Sequence, residues 1–344
     1  MRIALLVPAP FDTVSGGYLY DRRIVEGLRA LGHDLRVVEL AGEFPYPDEL
    51  ARASAEAAWA NLARDEIPVI DGLALPAFRG VARDLASRSA VALIHHPTSL
   101  EPGRHQAELA EMERGLFAAC GRLIATSRYT ARALPPLGGD DARIGVVEPG
   151  TDPAPRATGS GGPGARILSV GSIIPRKGHD VLLRALARLT DLEWELRIAG
   201  PATDPVHAKG LVALAEELGL TARVSFLGAV TDAALEAEYA AADLFALATW
   251  FEGFGMAAAE AQARGLPLLL CTGGAIADLV GPGAAILAPP GDANSLSRGA
   301  RRPIIDTGLR AQMAEASWKA GQSLPRWEDR AQLFAAELEA AGHG

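Results

Sequence analysis

Short apolar runs alternate with longer amphipathic segments along the first half of the chain. The apolar runs predict strands at 2–7, 34–40, 67–71, 90–94, 121–126 and 143–148. The segments between them predict helices that include 17–31, 48–65, 103–120 and 127–134. Val91–Ile94 is apolar without interruption, which is typical of a strand buried on both faces. The repeated strand–helix order predicts an α/β domain with a doubly wound parallel sheet.

The same alternation returns after a break that is rich in proline and glycine, at 153–165. The later apolar runs predict strands at 167–170, 193–199, 224–227, 244–248, 267–271 and 284–287. The helices between them include 177–190, 207–219, 231–241 and 255–264. We therefore predict two Rossmann-like domains, 1–155 and 166–324, joined by a linker at 156–165. Two such domains facing a central cleft would present the carboxyl ends of both sheets to a ligand.

The last segment predicts a helix that begins after Pro325, with Trp327, Phe334 and Leu338 on one face. This apolar face fits two placements, either as a cap on the second domain or as a return across the junction. We expect the C-terminal helix, 325–344, to pack back on the first domain.

Length and charge restrict the classes of function. The 344 residues fit two domains of about 150 residues each. The net charge of −9 argues against a nucleic-acid surface and allows at most peripheral membrane contact. The two cysteines, Cys120 and Cys271, form no CxxC pair, so we expect no zinc site, no disulfide and a cytoplasmic protein. The first apolar run stops at Pro8, which is too short for a signal peptide or a membrane span.

Two carboxylates, Glu252 and Glu260, flank a Gly-Phe-Gly turn that leads into an alanine-rich helix. The thin backbone at Gly253 and Gly255 leaves helix N–H groups open, as at an anion site. A carboxylate beside such a site has a use if it accepts hydrogen bonds from sugar or ribose hydroxyls. The alternative is an ordinary loop glutamate before a surface helix.

Arg176 and Lys177 open the first predicted helix of the second domain. Positive charge at a helix N-terminus is unfavourable by about 0.3–1 kcal/mol, which favours a role in binding a diphosphate. The alternative is a solvated first turn. The segment is neither a P-loop nor a dinucleotide fingerprint, because the required glycine spacing is absent.

Three further segments follow predicted strands. Ser15-Gly16-Gly17 lies between the first strand and the first helix, where it could approach a phosphate or sugar. His95 and His96 end the strand before them; one of them could donate to a substrate oxygen, although a structural role is equally compatible with the pattern. We predict no metal site here, because no HExxH or CxxC motif supplies further ligands. Thr272–Ala275, followed by Asp278, is a third loop in which glycines leave the backbone accessible.

With these segments in order, the chain resembles the family 4 glycosyltransferases, which have the two-domain GT-B architecture. The strongest part runs from Tyr239 to Pro267 and contains Asp243, the E-x7-E pair and a Gly-Leu-Pro end. Supporting parts are Val224–Gly228, Pro149–Asp152 and the Lys177-Gly178 pair, together with the Ser-Gly-Gly loop and His95.

The resemblance implies a nucleotide-diphosphate sugar, UDP-sugar by family frequency, as co-substrate, with no cofactor and no metal. It implies transfer of a hexosyl group to a small-molecule or lipid-linked acceptor with retention of configuration. The implied catalytic residues are Lys177 for the leaving diphosphate, Glu252 for the donor sugar and His95 near the reacting carbon. Glu260 would accept hydrogen bonds from the ribose, and the base would lie near 225–228. The implied donor-binding residues are Gly16, Gly17, Ser172, Arg176, Leu227, Gly253, Phe254, Gly255 and Glu260.

The chain departs from the family pattern in one place that bears on chemistry. The family usually has arginine where Ser172 stands, so Arg176 either replaces that charge or diphosphate binding is weaker. A nucleotide-sugar-binding protein with little catalysis, and a GT-B-type sugar-nucleotide epimerase, are the alternative functions. Residues 41–50 and 97–106 are candidate acceptor loops. We expect Lys177→Ala to lose most activity while folding normally.

Overall fold

A computed structural model describes residues 1–101 and 106–342. It divides the chain into two compact units, the first comprising Met1–Gly150 and the segment from Pro325 onward, the second Thr151–Leu324. The predicted helix at 103–120 and the candidate acceptor loop at 97–106 fall partly outside the described residues.

The first unit is a six-stranded parallel sheet in the order β2-β1-β3-β4-β5-β6. Its strands are β1 (Arg2–Pro8), β2 (Asp34–Leu40), β3 (Glu66–Asp71), β4 (Val91–Ile94), β5 (Arg122–Ala125) and β6 (Ile144–Val146). Its helices up to Gly150 are α1 (Gly16–Ala30), α2 (Glu49–Ala60), α3 (Ala82–Ser87), α4 (Gln106–Ala119) and α5 (Arg128–Ala133). The strand order reverses direction between β1 and β3, which defines the topological switch point of this sheet.

The second unit is also a six-stranded parallel sheet, in the order β12-β11-β10-β7-β8-β9. Its strands are β7 (Ala165–Val170), β8 (Trp194–Ala199), β9 (Val224–Gly228), β10 (Leu244–Leu247), β11 (Leu268–Cys271) and β12 (Ala285–Ala288). Its helices are α6 (His179–Leu186), α7 (Pro205–Glu217), α8 (Asp232–Ala241), α9 (Met256–Ala263), α10 (Ile276–Leu279), α11 (Ala293–Ile305) and α12 (Thr307–Gly321). Its switch point lies between β7 and β10.

Both faces of the second sheet are buried, as the uninterrupted apolar runs predict. Along β11, Leu268 and Leu270 pack into one apolar cluster, whereas Leu269 and Cys271 pack into the cluster on the opposite face. Because successive side chains of a strand point to opposite faces, helices must cover both sides of the sheet. The predicted fold class, two Rossmann-like doubly wound α/β domains, is confirmed.

The C-terminal helix α13 (Trp327–Gly342) belongs to the first unit. It packs against α1, where the missing side chain of Gly27 leaves room for Ala331; a Cβ at position 27 would lie 2.4 Å from the Ala331 Cβ. The Trp327 ring meets Tyr20 edge-on and lies under the Arg23 guanidinium, at 5.8 and 5.4 Å between centres.

The prediction of a linker at 156–165 is wrong. The structure places this segment in the second unit, whose boundary lies at Gly150 rather than at 155. The N–H groups of Thr158 and Gly159 donate to the Ala240 carbonyl, and the N–H of Ser160 donates to the Asp243 carboxylate. These backbone groups need partners, and distant residues of the second unit supply them.

Candidate functional site

Two loops meet at the switch point of the second unit, one after β7 and one after β10. The β7 loop contains Ser172, Arg176 and Lys177, and the β10 loop contains Glu252. Hydrogen bonds join the two loops: the Arg176 carbonyl accepts from the Trp250 N–H at 2.8 Å and from the Thr249 hydroxyl at 3.1 Å. Ligands of open parallel sheets bind outside the carboxyl ends of the strands at such a point.

Lys177 and Glu252 form a mostly buried ion pair at this point. The Lys177 Nζ lies 2.6 Å from Glu252 Oε1, and the two side chains are 14% and 9% exposed. Arg176 Nη1 lies 3.9 Å from Glu252 Oε2 and donates to the Phe251 carbonyl at 2.7 Å. Burial alone would raise the pKa of Glu252, but Lys177 and Arg176 hold this pKa below its usual value. The carboxylate is therefore ionised at neutral pH.

The Thr272–Ala275 loop holds the backbone of Glu252 in place. The Glu252 N–H donates to the Gly273 carbonyl at 3.2 Å, and the Ala275 N–H donates to the Glu252 carbonyl at 2.9 Å. Gly274 has φ of +71°, and a Cβ there would lie 2.1 Å from the Glu252 carbonyl oxygen. Only glycine fits both that conformation and that contact. The glycine-rich loop Thr272–Ala275, which the sequence analysis identified, thus fixes the backbone of Glu252.

Helices α6 and α9 both begin at the site after a glycine with positive φ, Gly178 at +63° and Gly255 at +101°. Neither helix has a side chain that caps its N-terminus. Their first N–H groups are therefore free of a capping side chain, which suits an anion. Lys177 lies in the short 3-10 turn Pro175–Lys177 just before α6, so the prediction that a helix begins at Lys177 is wrong by two residues.

Glu260 lies in the second turn of α9 and is half-buried. It accepts a hydrogen bond from the hydroxyl of the fully buried Tyr239 at 3.0 Å. The Arg264 guanidinium stacks over the Tyr239 ring, 4.5 Å from its centre. Burial raises the pKa of Glu260, and the hydrogen bond from Tyr239 opposes that rise. Tyr239 thus fixes the orientation of this carboxylate.

The remaining predicted donor-binding residues of the second unit lie in three places: the turn before α9, the loop after β7, and β9. Gly253 and Phe254 are half-buried in the turn between Glu252 and α9, and Ser172 follows Gly171 directly after β7. Leu227 lies on β9, the edge strand of the sheet, and is half-buried.

A second cluster lies at the switch point of the first unit. Asp71 ends β3, His95 follows β4, and Asp21 lies on α1. His95 Nε2 lies 3.1 Å from Asp21 Oδ1 and 3.4 Å from Asp71 Oδ2, and the two carboxylates are almost fully buried. Gly17 lies beside the imidazole, because a Cβ there would be 3.4 Å from His95 Cδ2. The structure therefore places His95 beside the Ser-Gly-Gly segment, which is not the loop that the sequence predicts: Gly16 and Gly17 are the first two residues of α1, and the Ser15 hydroxyl caps this helix by accepting from the Tyr18 N–H.

The protonated His95 ring balances the negative charge of the two aspartates in this cluster. Burial alone would lower the pKa of His95, but Asp21 and Asp71 raise it to about 10. Burial raises the pKa of Asp21 to about 6, against the opposing charge of His95. Near neutral pH the imidazole is therefore a cation beside ionised Asp21. Among the described residues these are also the donor atoms that could approach a metal, within 4.8 Å of one another. We interpret the 3.1 Å distance from Nε2 to Asp21 as a direct hydrogen bond and the 3.4 Å distance to Asp71 as an ion-pair contact.

His96 points to a different partner. Its Nε2 lies 2.7 Å from the Glu101 carboxylate. The loop that it begins is held by the buried Glu113, which accepts from the Thr98 N–H at 2.6 Å and from the Ser99 hydroxyl. Of the two histidines, His95 is the one beside Gly17 of the Ser-Gly-Gly segment.

Sequence reasoning missed Asp21, Asp71 and the role of Tyr239. Asp71 had a signal, because it ends a strand as His95 follows the next one. Asp21 had none, because it occupies a position on α1 between the buried residues Tyr20 and Ile24. No helix in the described part of the chain is long and apolar enough to cross a membrane.

Residues 152–320 match the family model described as glycosyl transferases group 1. Among curated proteins, a D-inositol 3-phosphate glycosyltransferase of Nocardia farcinica is 37% identical over 232 residues, which are 60% of this chain and 51% of that protein. One of the same description from Mycobacterium tuberculosis (strain ATCC 25177 / H37Ra) is 36% identical over 175 residues, 48% of this chain and 36% of that protein. The matched regions thus span about half or less of these relatives.

Solved structures resemble the whole chain. Sucrose-phosphate synthase from Thermosynechococcus elongatus has a TM-score of 0.84 at 18% identity and covers 100% of this chain and 99% of its own. Anabaena HepE in complex with UDP and glucose has a TM-score of 0.80 at 21% identity, covering 99% of this chain and 100% of its own. These likenesses establish a GT-B fold, and most of the second unit matches the model of the group 1 glycosyl transferases.

Proposed function

We propose that this chain is a retaining glycosyltransferase that moves a hexosyl group from a nucleotide-diphosphate sugar to an acceptor hydroxyl. The observation that carries the proposal is the Lys177–Glu252 ion pair at the switch point of the second unit, with Glu260 on α9, the helix that follows Glu252, all within the group 1 match. One cation and two carboxylates, set around two uncapped helix N-termini, suit a ligand that combines phosphates with hydroxyl groups.

The donor is bound through both kinds of group. Glu260, oriented by Tyr239, accepts hydrogen bonds from the ribose hydroxyls. Glu252, ionised by its cationic neighbours, accepts hydrogen bonds from the sugar. The backbone of Gly253, Phe254 and Gly255 lies alongside, and the base lies near Leu227.

Lys177 and Arg176 stabilise the leaving diphosphate. An ammonium group has three donors, so Lys177 can contact Glu252 and a phosphate oxygen together. The N-termini of α6 and α9 add partial positive charge. Because catalysis here means stabilising charge that develops on the leaving group, these fixed groups suffice without a metal ion. In the first unit, His95 can donate a hydrogen bond to an oxygen of the substrate.

The relatives suggest where to begin with substrates. The HepE structure holds UDP and glucose, which supports a UDP-sugar as the first donor to test. The curated relatives are named for inositol 3-phosphate, so this phosphorylated polyol belongs in the acceptor panel with other small-molecule and lipid-linked hydroxyl compounds.

The first test is calorimetric titration with UDP, GDP and ADP, each with and without magnesium. We expect selective binding of one nucleotide in the micromolar range, unchanged by magnesium. Binding that requires magnesium would contradict metal independence. Binding of none would mean that Ser172 has weakened the diphosphate site or that a less common nucleotide is used, and it would favour the non-catalytic alternative.

Turnover then separates transfer from the alternatives. The sugar donor of the selected nucleotide is incubated with the acceptor panel, and the anomeric configuration of the product is read by NMR. We expect transfer with the configuration of the donor retained. Binding without turnover of any donor would favour the non-catalytic alternative, and a changed donor sugar without acceptor would favour an epimerase.

A further inference from the structure

Asp21 has no role in the function proposed above, although its carboxylate lies in the apolar core of the first unit. Only 2% of the residue is exposed, on the buried face of α1 that also carries Ile24 and Val25. Burying a charge there is costly unless it is paired. Its partner is His95. We propose that Asp21 is a positioning residue which, together with Asp71, binds Nε2 of His95 and so presents Nδ1 to the substrate.

The two carboxylates engage the same nitrogen of the ring. Asp21 Oδ1 lies 3.1 Å and Asp71 Oδ2 lies 3.4 Å from His95 Nε2. A protonated imidazole has two N–H donors. Since Nε2–H is shared between the aspartates, Nδ1–H is the donor that remains for a ligand. The side chain of His95 keeps 18% of its surface exposed, so a ligand can reach the ring.

Other contacts keep the ring from turning. The Tyr20 ring meets the imidazole edge-on, at 5.3 Å between centres. The His95 carbonyl accepts from the hydroxyls of Thr126 at 3.2 Å and Thr130 at 3.1 Å, which fixes the backbone from which the ring projects. A ring flip would exchange Nε2 for a carbon at the aspartates, leaving both buried carboxylates without their donor.

The charges around His95 keep this donor charged. The ionisable groups that face the cluster are Asp21, Tyr18, Tyr20 and Arg22 from α1, Asp71 from β3, and Arg330 from α13, whose charge acts on Tyr20. Burial and the nearby aspartates raise the pKa of both tyrosines above the usual value, so both stay neutral. The carboxylates therefore dominate, and Nδ1–H is a cationic donor suited to the oxygen of a sugar or phosphate.

The direct test is the ring nitrogen NMR signal of His95 in the full chain, which needs no substrate. The seven histidines are labelled with ¹⁵N, and His95 is assigned as the signal that His95→Gln removes. In the unaltered chain we expect a charged ring from about pH 6 to pH 8.5. In Asp21→Asn we expect the pKa of His95 to fall by at least about one unit, because an opposite charge at ~4–6 Å typically shifts a pKa by about 1–3 units.

The control is Asp65→Asn, an exposed aspartate of the same unit that pairs with Arg2, which should leave the His95 signals unchanged. When the His95 ring of the unaltered chain finally loses a proton, the neutral form should keep the proton on Nε2. A neutral ring at pH 7, a neutral form protonated on Nδ1, or an unmoved pKa in folded Asp21→Asn would each overturn the proposal. If Asp21→Asn does not fold, the unaltered chain alone decides by the first two criteria.

The second test measures turnover, and it rests on the proposed glycosyltransferase function. Asp21→Asn should lower kcat by at least about tenfold, part of the ~10²–10³-fold that loss of a preorganised donor costs, and change the donor KM by less than about threefold. It should also give kcat/KM a new decline above about pH 7. If no donor is turned over by the unaltered chain, the proposed function fails while the NMR result still decides the role of Asp21. A folded variant with the pH profile of the unaltered enzyme would overturn the positioning role.

Discussion

Replacing Lys177 by alanine removes the charge that compensates a buried carboxylate. The Lys177 Nζ lies 2.6 Å from Glu252 Oε1, and only 9% of the Glu252 side chain is exposed. After the change, Arg176 stays 3.9 Å from the other carboxylate oxygen and offsets part of the loss. The sequence alone predicts normal folding for this variant, but the ion pair adds a cost in stability.

The size of that cost follows from burial. Breaking a buried pair typically costs about 3–5 kcal/mol, and the remaining arginine should reduce the effect to about 2–4 kcal/mol of unfolding free energy. In catalysis, losing a group that stabilises the leaving diphosphate should lower kcat/KM by on the order of 10²–10³-fold. Both effects come from the same ammonium group. The contribution to stability can be measured by itself through its dependence on pH.

The assay is equilibrium urea unfolding of both chains between about pH 3 and pH 8. Lys177 lowers the pKa of Glu252 in the folded state below its ordinary 4.5. Stability from the pair is therefore present above the unfolded pKa and is lost as the pH falls through the folded pKa. The destabilisation in Lys177→Ala should be full at pH 7 and should shrink below about pH 4.5.

Two further variants complete the test. Lys177→Ala combined with Glu252→Gln should recover part of the lost stability, because no uncompensated carboxylate remains. Lys209→Ala, at an exposed lysine of α7, should change neither stability nor turnover. An unfolding free energy for Lys177→Ala within about 0.5 kcal/mol of the unaltered chain at pH 7, the range of ordinary surface changes, would refute the reasoning.

Other changes probe the remaining parts of the two clusters. Glu260→Ala should weaken calorimetric binding of the nucleoside diphosphate by about 10- to 100-fold, since hydrogen bonds to a charged group are worth ~1.5–3 kcal/mol; unchanged affinity would contradict the ribose role. Gly274→Ala should lower the thermal midpoint well beyond Gly219→Ala, because both have φ near +70° but only the first would place a Cβ against backbone, at 2.1 Å. Equal thermal midpoints of the two variants would show that the backbone shifts to accommodate the Cβ at position 274, and would contradict the prediction. Gly17→Ala should keep its thermal midpoint, since the new methyl only reaches van der Waals contact with His95 at 3.4 Å, yet lower kcat/KM by filling space beside the ring; unaltered kinetics would place the donor elsewhere.

Strands such as β4 at Val91–Ile94 could be predicted from the sequence almost to the residue, because strands buried on both faces are continuous apolar runs. The starts of α6 and α9 were predicted too early. Gly178 and Gly255 have positive φ, so each helix begins only after its glycine. The two helices α11 and α12 were not predicted, although Asp292 and Asp306 cap their N-termini.

The error at 156–165 has a different cause. Proline and glycine lower the propensity for regular structure, but they do not decide whether a segment is free. Here the backbone of Thr158 and Gly159 is bonded to Ala240, and Asp243 binds the N–H of Ser160. The composition of this segment indicates only that it forms neither helix nor strand. Its hydrogen-bond partners lie about eighty residues away in the sequence, so no local pattern reveals them.

The site divides in the same way. Glu252, Glu260 and Lys177 could be found because each lies in a short segment whose glycines and charges conflict with ordinary helix starts. Asp71 was within reach, because parallel strands end at one edge and His95 follows the strand beside it. Asp21 was not, since a lone aspartate among apolar helix positions predicts nothing until its partner is known. A buried charge therefore becomes informative only through the group that compensates it. For this reason the effect of removing Asp21 should be measured first in the ¹⁵N NMR signals of the His95 ring and only then in the turnover rate.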